Sequence, residues 1–274
     1  MSKQLEQTVA YTILIVFSFI AVWPLVSIIL LAFNNPGTLV SGLQIPSPFS
    51  MASFIKAWTE GGFGSALFSS FLVAIIVVVA SVILSLLTGY VFGTMAFKGS
   101  SFLFYYFMIG IIVPYEATMI PLFYQFHNLG LINTYWAMIL PQTAFSISFG
   151  TFWMRAFFRS FPKDLIDAGR SDGANLWTVL WKVIVPNTGP SVLALSAILF
   201  IWTWNDLLLA IVMIQKPNIR MAPAALSLFA GVQRTADLPV VAAAAVLVAL
   251  PVIIIYLILQ RQFIEGVVAG AVTG

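Results

Sequence analysis

Long apolar stretches alternate with short polar segments along this 274-residue chain. Six of the stretches reach the roughly 20 residues that are needed to cross the hydrocarbon core of a bilayer. They lie at residues 9–33, 65–97, 102–125, 135–158, 190–214 and 238–260. The second stretch is longer than a bilayer requires, which indicates that it tilts or extends beyond the lipid. The pattern predicts an all-α polytopic membrane protein with six transmembrane helices, forming a single transmembrane domain over residues 1–274.

The composition supports a membrane location and excludes several other classes of protein. Apolar residues make up 61% of the chain and charged residues only 8%, whereas a soluble domain carries roughly 25% charged residues. Cysteine is absent, which excludes disulfides, thiolate metal sites and cysteine nucleophiles. The basic residues are scattered and form no aromatic and basic platform, so we expect no nucleic-acid partner. The first apolar stretch is longer than a signal-peptide core, which predicts a retained helix.

Lysine and arginine are distributed unevenly between the predicted loops. With a cytoplasmic N-terminus, the cytoplasmic side carries Lys3, Lys98, Arg155, Arg159, Lys163, Arg170, Lys182 and Arg261, and the opposite side carries Lys56, Lys216, Arg220 and Arg234. Basic residues concentrate in cytoplasmic loops, so this bias predicts that the N and C termini are both cytoplasmic. We therefore expect a multi-pass protein of the cell membrane. Most of the bias comes from residues 155–182, the longest predicted cytoplasmic connection.

Residues 161–189, between the fourth and fifth predicted spans, have the pattern of two helices joined by a sharp turn. Asp164 and Asp167 lie early in a short amphipathic helix, where negative charge suits the helix dipole. Gly173 follows an aspartate, and glycine permits the positive φ of a tight reversal. A second helix is predicted from Asn175 toward Pro186. Such an element is suited to transmitting motion to the spans that flank it, and an interfacial amphipathic helix without a partner is the equally weighted alternative.

The sequence Asp167-Ala-Gly-Arg-Ser-Asp-Gly-Ala174 resembles the "EAA" loop of binding-protein-dependent ABC importer permeases, roughly Glu-Ala-Ala-x-x-Asp-Gly-Ala with a later Leu-Pro. The sequence departs from that pattern at Asp167 (Asp for Glu), Gly169 (Gly for Ala) and Val185 (Val for Leu). Glycine inside a helix costs up to about 1 kcal/mol relative to alanine. In this family the loop seats in a cleft of the ATPase subunit. The resemblance therefore implies a set of ATPase-coupling residues: Asp164, Asp167, Ala168, Gly169, Asp172, Gly173, Ala174 and Pro186.

Further segments resemble the carbohydrate-type branch of these permeases, and together the matches extend over nearly the whole chain. They include Pro114 with Glu116, residues 120–123 and 129–134, and Trp202-Thr-Trp-Asn-Asp206. The C-terminal residues 260–274 are similar to the tail of the smaller maltose-permease-like subunit, with Thr273 where that tail usually carries lysine. The resemblance implies four partners besides the lipid bilayer: an ATP-binding cassette ATPase dimer, a second and different permease subunit, an extracytoplasmic solute-binding protein and a sugar-class substrate.

Two carboxylates fall inside predicted spans, Glu116 in the third and Asp206 in the fifth. Carboxylates at membrane depth are costly, so they usually face a cavity, a partner or water. With Trp202 and Asn205 they form the candidate substrate path, in which carboxylates accept hydrogen bonds from sugar hydroxyls and tryptophan stacks on a sugar ring. The alternatives are structural: capping at a helix break for the carboxylates, packing or an interfacial belt for Trp202, and a bond between helices for Asn205.

The chain lacks the sequence patterns that catalysis or ATP binding by this subunit would require. No Gly-x-x-x-x-Gly-Lys-[Ser/Thr] loop is present, and a single histidine leaves little scope for metal or triad chemistry. We therefore expect no enzymatic activity and no cofactor. The prediction is half of an ATP-driven import pathway for a sugar or related polyol. The alternative is a secondary transporter driven by an ion gradient, which would require an acid–base relay or ion site within the spans.

Overall fold

The computed structural model describes residues 3–39, 45–233 and 237–271, and the regular structure of these residues is helical. Arg234 and Thr273 lie outside the described residues. The main helices of the described residues are, in order, α1 (Lys3–Ala32), α2 (Ala52–Gly61), α3 (Phe63–Thr94), α4 (Ser100–Ile112), α5 (Tyr115–Asn128), α6 (Trp136–Ser160), α7 (Lys163–Ser171), α8 (Leu176–Asn187), α9 (Gly189–Asn205), α10 (Leu207–Met213), α11 (Ala222–Gln233) and α12 (Leu238–Ala271).

Among the described residues, three helical segments are long and apolar enough to cross a membrane without interruption. They are Gln4–Ala32, Phe63–Thr94 and Leu238–Gln260. Two bent helix pairs raise the number to five if each pair is one span. Helix α6 is 25 residues long but less apolar, because it contains Gln142, Arg155 and Arg159. The structure thus supports three to five apolar spans in an all-helical protein, and the predicted six spans stay a prediction.

Two of the predicted spans are broken rather than continuous. Residues 102–125 form α4 and α5, whose axes differ by 91°. Proline has no backbone N–H and disfavours helical geometry in the residue before it, and α4 accordingly ends just before Val113-Pro114. Residues 190–214 form α9 and α10, which meet at Asp206 in a non-helical conformation (φ −72°, ψ 87°). Each of these two predicted stretches therefore consists of two helices joined at a bend.

One compact unit of the chain comprises residues 1–65 and 224–250. Its polar centre is Asp237, which is buried and lies just before α12. One Asp237 oxygen is 2.9 Å from the Lys56 Nζ on α2, and the other accepts a 2.9 Å hydrogen bond from the Gly37 backbone N–H. The hydrogen bond to Asp237 is the main reason that the pKa of Lys56 is raised. This cluster joins α2 and the segment after α1 to the start of α12.

The other compact unit comprises residues 66–223 and 251–274. Within it, α6 packs against α4 and α9, and α10 packs against α5 and α6. Gly89 and Gly93 of α3 face Met154 and Phe158 of α6 so closely that an added Cβ would meet those residues at 2.5 and 2.7 Å. Small residues four positions apart allow two helices to approach closely in a membrane. The division into two units leaves the single-domain prediction open.

Candidate functional site

The segment predicted to contact an ATPase folds as a helix, a tight turn and a second helix. The turn closes on α7 through two main-chain hydrogen bonds, from Gly173 N–H to Arg170 O (3.0 Å) and from Ala174 N–H to Gly169 O (3.1 Å). Gly173 has φ +82°, a conformation in which side chains are disfavoured. The Asn175 side chain then caps α8 by accepting a 2.8 Å hydrogen bond from the Thr178 N–H. The predicted turn at Asp172-Gly173 and the start near Asn175 are therefore confirmed.

The outer surface of this helical hairpin combines acidic and apolar side chains. Most of the predicted coupling residues are exposed, and Gly169 and Ala174 are half-buried; the exposed ones are Asp164, Asp167, Ala168, Asp172, Gly173 and Pro186. Leu165 and Leu176 are each 47% exposed and Trp177 is 61% exposed, although all three are large apolar residues. In a loop outside the predicted spans, exposed apolar side chains of this size are typical of a surface that contacts another protein.

The inner surface of the same hairpin is fixed in the protein core. Ile166 of α7 and Val179, Leu180 and Ile184 of α8 are buried in a cluster with α3, α6 and α9 side chains. The Tyr90 hydroxyl of α3 donates a hydrogen bond of 3.3 Å to the Leu176 carbonyl. Part of α8, Val179–Ile184, is a π-helical turn. A force on the exposed side of this hairpin is thus passed by close packing to the helices beneath it.

Gly169 has room for the methyl group that the EAA pattern would place there. An added Cβ would lie 3.4 Å from Val183 Cγ2 and 3.7 Å from Val179 Cγ2, which are ordinary packing distances. The backbone of Gly169 is helical and gives no reason for glycine. No contact in the structure accounts for glycine instead of alanine at this position.

A cavity of about 640 Å³ lies beside the two helix breaks. The four residues of the candidate substrate path, Glu116, Trp202, Asn205 and Asp206, all line it. The remaining lining side chains are mostly apolar and include Phe145, Phe149 and Met119. A cavity of this volume with a few convergent polar groups has the general properties of a small-molecule site. The structure brings Glu116 together with Trp202, Asn205 and Asp206, which lie 86 to 90 positions later in the sequence.

Asp206 is the centre of a hydrogen-bond network in this cavity. One carboxylate oxygen accepts from the Tyr115 hydroxyl at 2.8 Å and from the Gln142 amide at 2.9 Å. The other oxygen accepts from the Leu209 N–H at 3.1 Å and so caps α10. Asp206 therefore has the structural role that was the alternative at the sequence level, while it also lines the cavity. The network connects both helix breaks to α6.

The other three residues of the candidate path differ in their surroundings. Glu116 is exposed in the first turn of α5 and forms no ion pair with the described residues. Trp202 is 52% exposed and lies 4.7 Å, centroid to centroid, from Phe149. Asn205 donates to the Ile201 carbonyl of its own helix at 2.9 Å. The expectation that Asn205 bonds between helices was therefore wrong.

Two residues of the network, Tyr115 and Gln142, were missed at the sequence level. Gln142 is 6% exposed and lies in the interior of a predicted span, where an amide side chain requires a hydrogen-bonding partner. That position was the available signal. Tyr115 offered none, because tyrosine is common in membrane helices and its role depends on the break at Pro114. Trp204, by contrast, is 2% exposed and packs against Phe71 and Phe200 away from the cavity lining.

The arrangement of an exposed helical hairpin at residues 161–189 and a cavity beside broken helices can be compared with known proteins. Residues 85–268 match the sequence model of a family described as "Binding-protein-dependent transport system inner membrane component". The chain belongs to this family. The predicted importer permease, in a multi-pass membrane location, is thereby confirmed. Family and relatives are transporter permeases rather than enzymes.

Relatives of this permease extend over almost its whole length. It is 32% identical over 263 residues to the "Arabinooligosaccharides transport system permease protein AraQ" of Halalkalibacterium halodurans, covering 94% of this chain and 93% of the relative. It is 31% identical over 256 residues to the "Trehalose transport system permease protein SugB" of Mycobacterium tuberculosis, covering 93% of each. A solved bacterial ABC transporter involved in alginate import has the same fold, with a TM-score of 0.80, 23% identity, and coverage of 96% of this chain and 98% of that one.

Proposed function

We propose that this permease forms half of the translocation pathway of an ATP-driven importer for a sugar or related polyol. An extracytoplasmic binding protein delivers the substrate, a second and different permease subunit forms the other half, and an ATPase dimer engages residues 161–189. The observation that carries this proposal is the helical hairpin of α7 and α8, residues 161–189, which we name the coupling hairpin. Its exposed acidic and apolar surface is available to a partner, while its buried side chains are packed into the spans.

The cavity supports the transport part of the proposal. A sugar presents hydroxyl groups that both donate and accept hydrogen bonds, together with an apolar ring face. Glu116 and Asp206 offer acceptors, Tyr115 and Gln142 lie beside Asp206, and Trp202 offers an aromatic face. The Gln142 Oε1 is buried and accepts no hydrogen bond from the described residues. We propose that substrate passes through this cavity and that the helix breaks allow its walls to move.

Six spans follow if each pair of broken helices, α4 with α5 and α9 with α10, crosses the membrane once and α6 crosses as well. Broken helices are tolerated at membrane depth where they line a cavity. The charge bias then places both termini and residues 161–189 in the cytoplasm.

Since the chain contains no cysteine, single cysteines can report this topology. Lys98→Cys and Ser171→Cys should be protected from a membrane-impermeant maleimide in intact cells, whereas Thr59→Cys and Asn218→Cys should react. The reverse pattern would overturn the orientation.

A sugar-class cargo is supported by two relatives, which are named as transport system permeases for arabinooligosaccharides and for trehalose. The direct test is uptake into vesicles that contain this permease with its partner subunits and binding protein. Uptake of a labelled sugar should require ATP and should persist in the presence of ionophores. Uptake that continues without ATP and collapses with the ion gradient would favour the secondary-transporter alternative instead.

A further inference from the structure

A second cavity, of about 470 Å³, has a lining very different from that of the first. It lies where the end of α3, the start of α4, the end of α6 and the first helix of the coupling hairpin meet. Four basic side chains line it: Arg155, Arg159, Lys163 and Arg170. Ser100 and Ser101, the first residues of α4, contribute hydroxyl groups. Positive charge and hydroxyl donors in one cavity are the features of a site for an anion.

The four cations are not neutralised by the described part of the chain. Asp167 also lines the cavity, but none of the four basic groups lies within 4.0 Å of a described carboxylate oxygen. Arg155 is half-buried, with its guanidinium carbon 3.6 Å from the centre of the Phe104 ring and its Nε donating to the Phe92 carbonyl at 3.3 Å. No other hydrogen bond of this guanidinium is formed with the described residues. A partly buried cation without an anion is unfavourable, and an anion bound here would relieve that cost.

An apolar surface lies directly beside these arginines. A third cavity, of about 420 Å³, is lined by Phe152, Ala156 and Ser160 together with the same Arg155 and Arg159. On the neighbouring helix α4, Phe102, Tyr105 and Tyr106 are 74%, 69% and 65% exposed. An exposed apolar face of a membrane protein is suited to contact with lipid, and tyrosine favours the depth of the headgroups. Arg155, which packs on Phe104 of α4, thus lies between the basic cavity and a face suited to acyl chains.

We propose that this basic cavity binds the phosphate headgroup of an anionic phospholipid, with the acyl chains against the exposed aromatic face of α4. Guanidinium groups match phosphate oxygens in pairs, and basic pockets between membrane helices are suited to anionic headgroups. An acidic segment of a protein partner could reach Lys163 and Arg170 on the coupling hairpin. It does not account for the exposed aromatic residues of α4, the helix against which Arg155 packs. The site is independent of the cargo and of the cavity that contains Asp206.

Lipid binding can be measured on the permease purified with its partner subunits, without any transport. Phosphatidylglycerol, phosphatidylcholine and inorganic phosphate are added separately, and bound lipid and thermal midpoint are recorded. We expect phosphatidylglycerol to bind and to raise the midpoint above that seen with the other two. Arg159→Gln, at an exposed position, should weaken phosphatidylglycerol binding by about tenfold, the loss expected for a hydrogen bond between charged groups. A double variant that combines Arg155→Gln with Arg159→Gln should bind phosphatidylglycerol more weakly still. Lys182 is an exposed cation that lines neither cavity containing Arg155. The Lys182→Gln variant should therefore bind phosphatidylglycerol as well as the unmodified protein does.

Three results would overturn the proposal. Equal binding by Arg159→Gln, the double variant and Lys182→Gln would show that the cavity does not recognise the headgroup. If inorganic phosphate alone raised the thermal midpoint as much as phosphatidylglycerol does, the cavity would be assigned to a soluble phosphate. Loss of the ATPase from the complex in Arg159→Gln, with phosphatidylglycerol binding unchanged, would make these arginines part of a protein interface. None of these results depends on whether the cargo is a sugar.

Discussion

The coupling hairpin and the cavity beside Asp206 are assembled in opposite ways. The hairpin uses one continuous segment, residues 161–189, and its sharp turn depends on the backbone of Gly173. The cavity collects residues from 110 to 208, and its network joins Tyr115, Gln142 and Asp206. A contact surface for another protein can be formed by a local motif, because the partner supplies the other side. An enclosed site requires walls from several helices.

Gly173→Pro is expected to have the largest effect on function. Proline fixes φ near −65° and removes the N–H that bonds to Arg170, so the turn at φ +82° cannot form. ATP-dependent uptake should fall to background while the protein remains in the membrane. Gly130→Pro is the matched control, since Gly130 also has a positive φ (+68°), open space around it and an N–H bond to the residue three positions earlier.

The control variant should keep the ATPase in the purified complex, whereas Gly173→Pro should lose it. Normal uptake by Gly173→Pro would show that the hairpin is not the coupling element. Loss of the ATPase from both variants would show that the effect is not specific to the hairpin. The hairpin could then not be distinguished from the cavity as a local contact surface for another protein.

Asp206→Ala and Asp164→Ala compare an acidic residue in each region. Asp206→Ala removes a helix cap and leaves the Tyr115 and Gln142 donors without their acceptor, for a cost of about 2–5 kcal/mol in stability. Asp164→Ala changes an exposed residue and should alter stability by less than about 0.5 kcal/mol. Thermal unfolding in detergent measures both variants. Equal destabilisation of the two variants would mean that Asp164 stabilises the fold through an interaction that is not seen in the structure.

Gly93→Ala tests the packing that supports the hairpin. Its added methyl would meet Phe158 Cβ at 2.7 Å, and overpacking of this kind typically costs about 1–3 kcal/mol. Gly189→Ala is the control, because no atom lies within 4 Å of the added methyl. Thermal midpoints and ATP-dependent uptake should both decrease for Gly93→Ala and stay unchanged for Gly189→Ala. An unchanged Gly93→Ala protein would indicate that α3 and α6 can separate without loss of coupling.

Gly169→Ala should have the smallest effect and should be stabilising. Alanine is favoured over glycine within a helix by about 0.5–1 kcal/mol, and the added methyl finds ordinary packing distances. Uptake should remain close to that of the unmodified protein. A marked loss of uptake with a raised thermal midpoint would show that glycine is required for coupling and that the match to the alanine of the family pattern is misleading.

The features that depend only on residues close together in the sequence could be predicted from it. The apolar stretches indicated a membrane protein, and the spacing of Asp172, Gly173 and Asn175 predicted a turn followed by a helix. The helix breaks were harder to predict. Pro114 offered a signal at the first break, and a helix break was one of the two interpretations of Glu116. At Asp206 no proline is present, and a carboxylate interrupts the helix because Tyr115 and Gln142 supply donors to it.

The sequence by itself determined the membrane-spanning class, the family and the tight turn between α7 and α8, because hydrophobicity and turn geometry are local properties. The tertiary structure decided that Glu116 shares a cavity with Trp202, Asn205 and Asp206, that Asn205 bonds within its own helix, and that Arg155 and Arg159 line a basic cavity. These depend on which faces of α3, α4, α6 and α9 meet. An apolar pattern in a membrane protein leaves those faces undefined, since side chains that face lipid and side chains that face another helix are equally apolar.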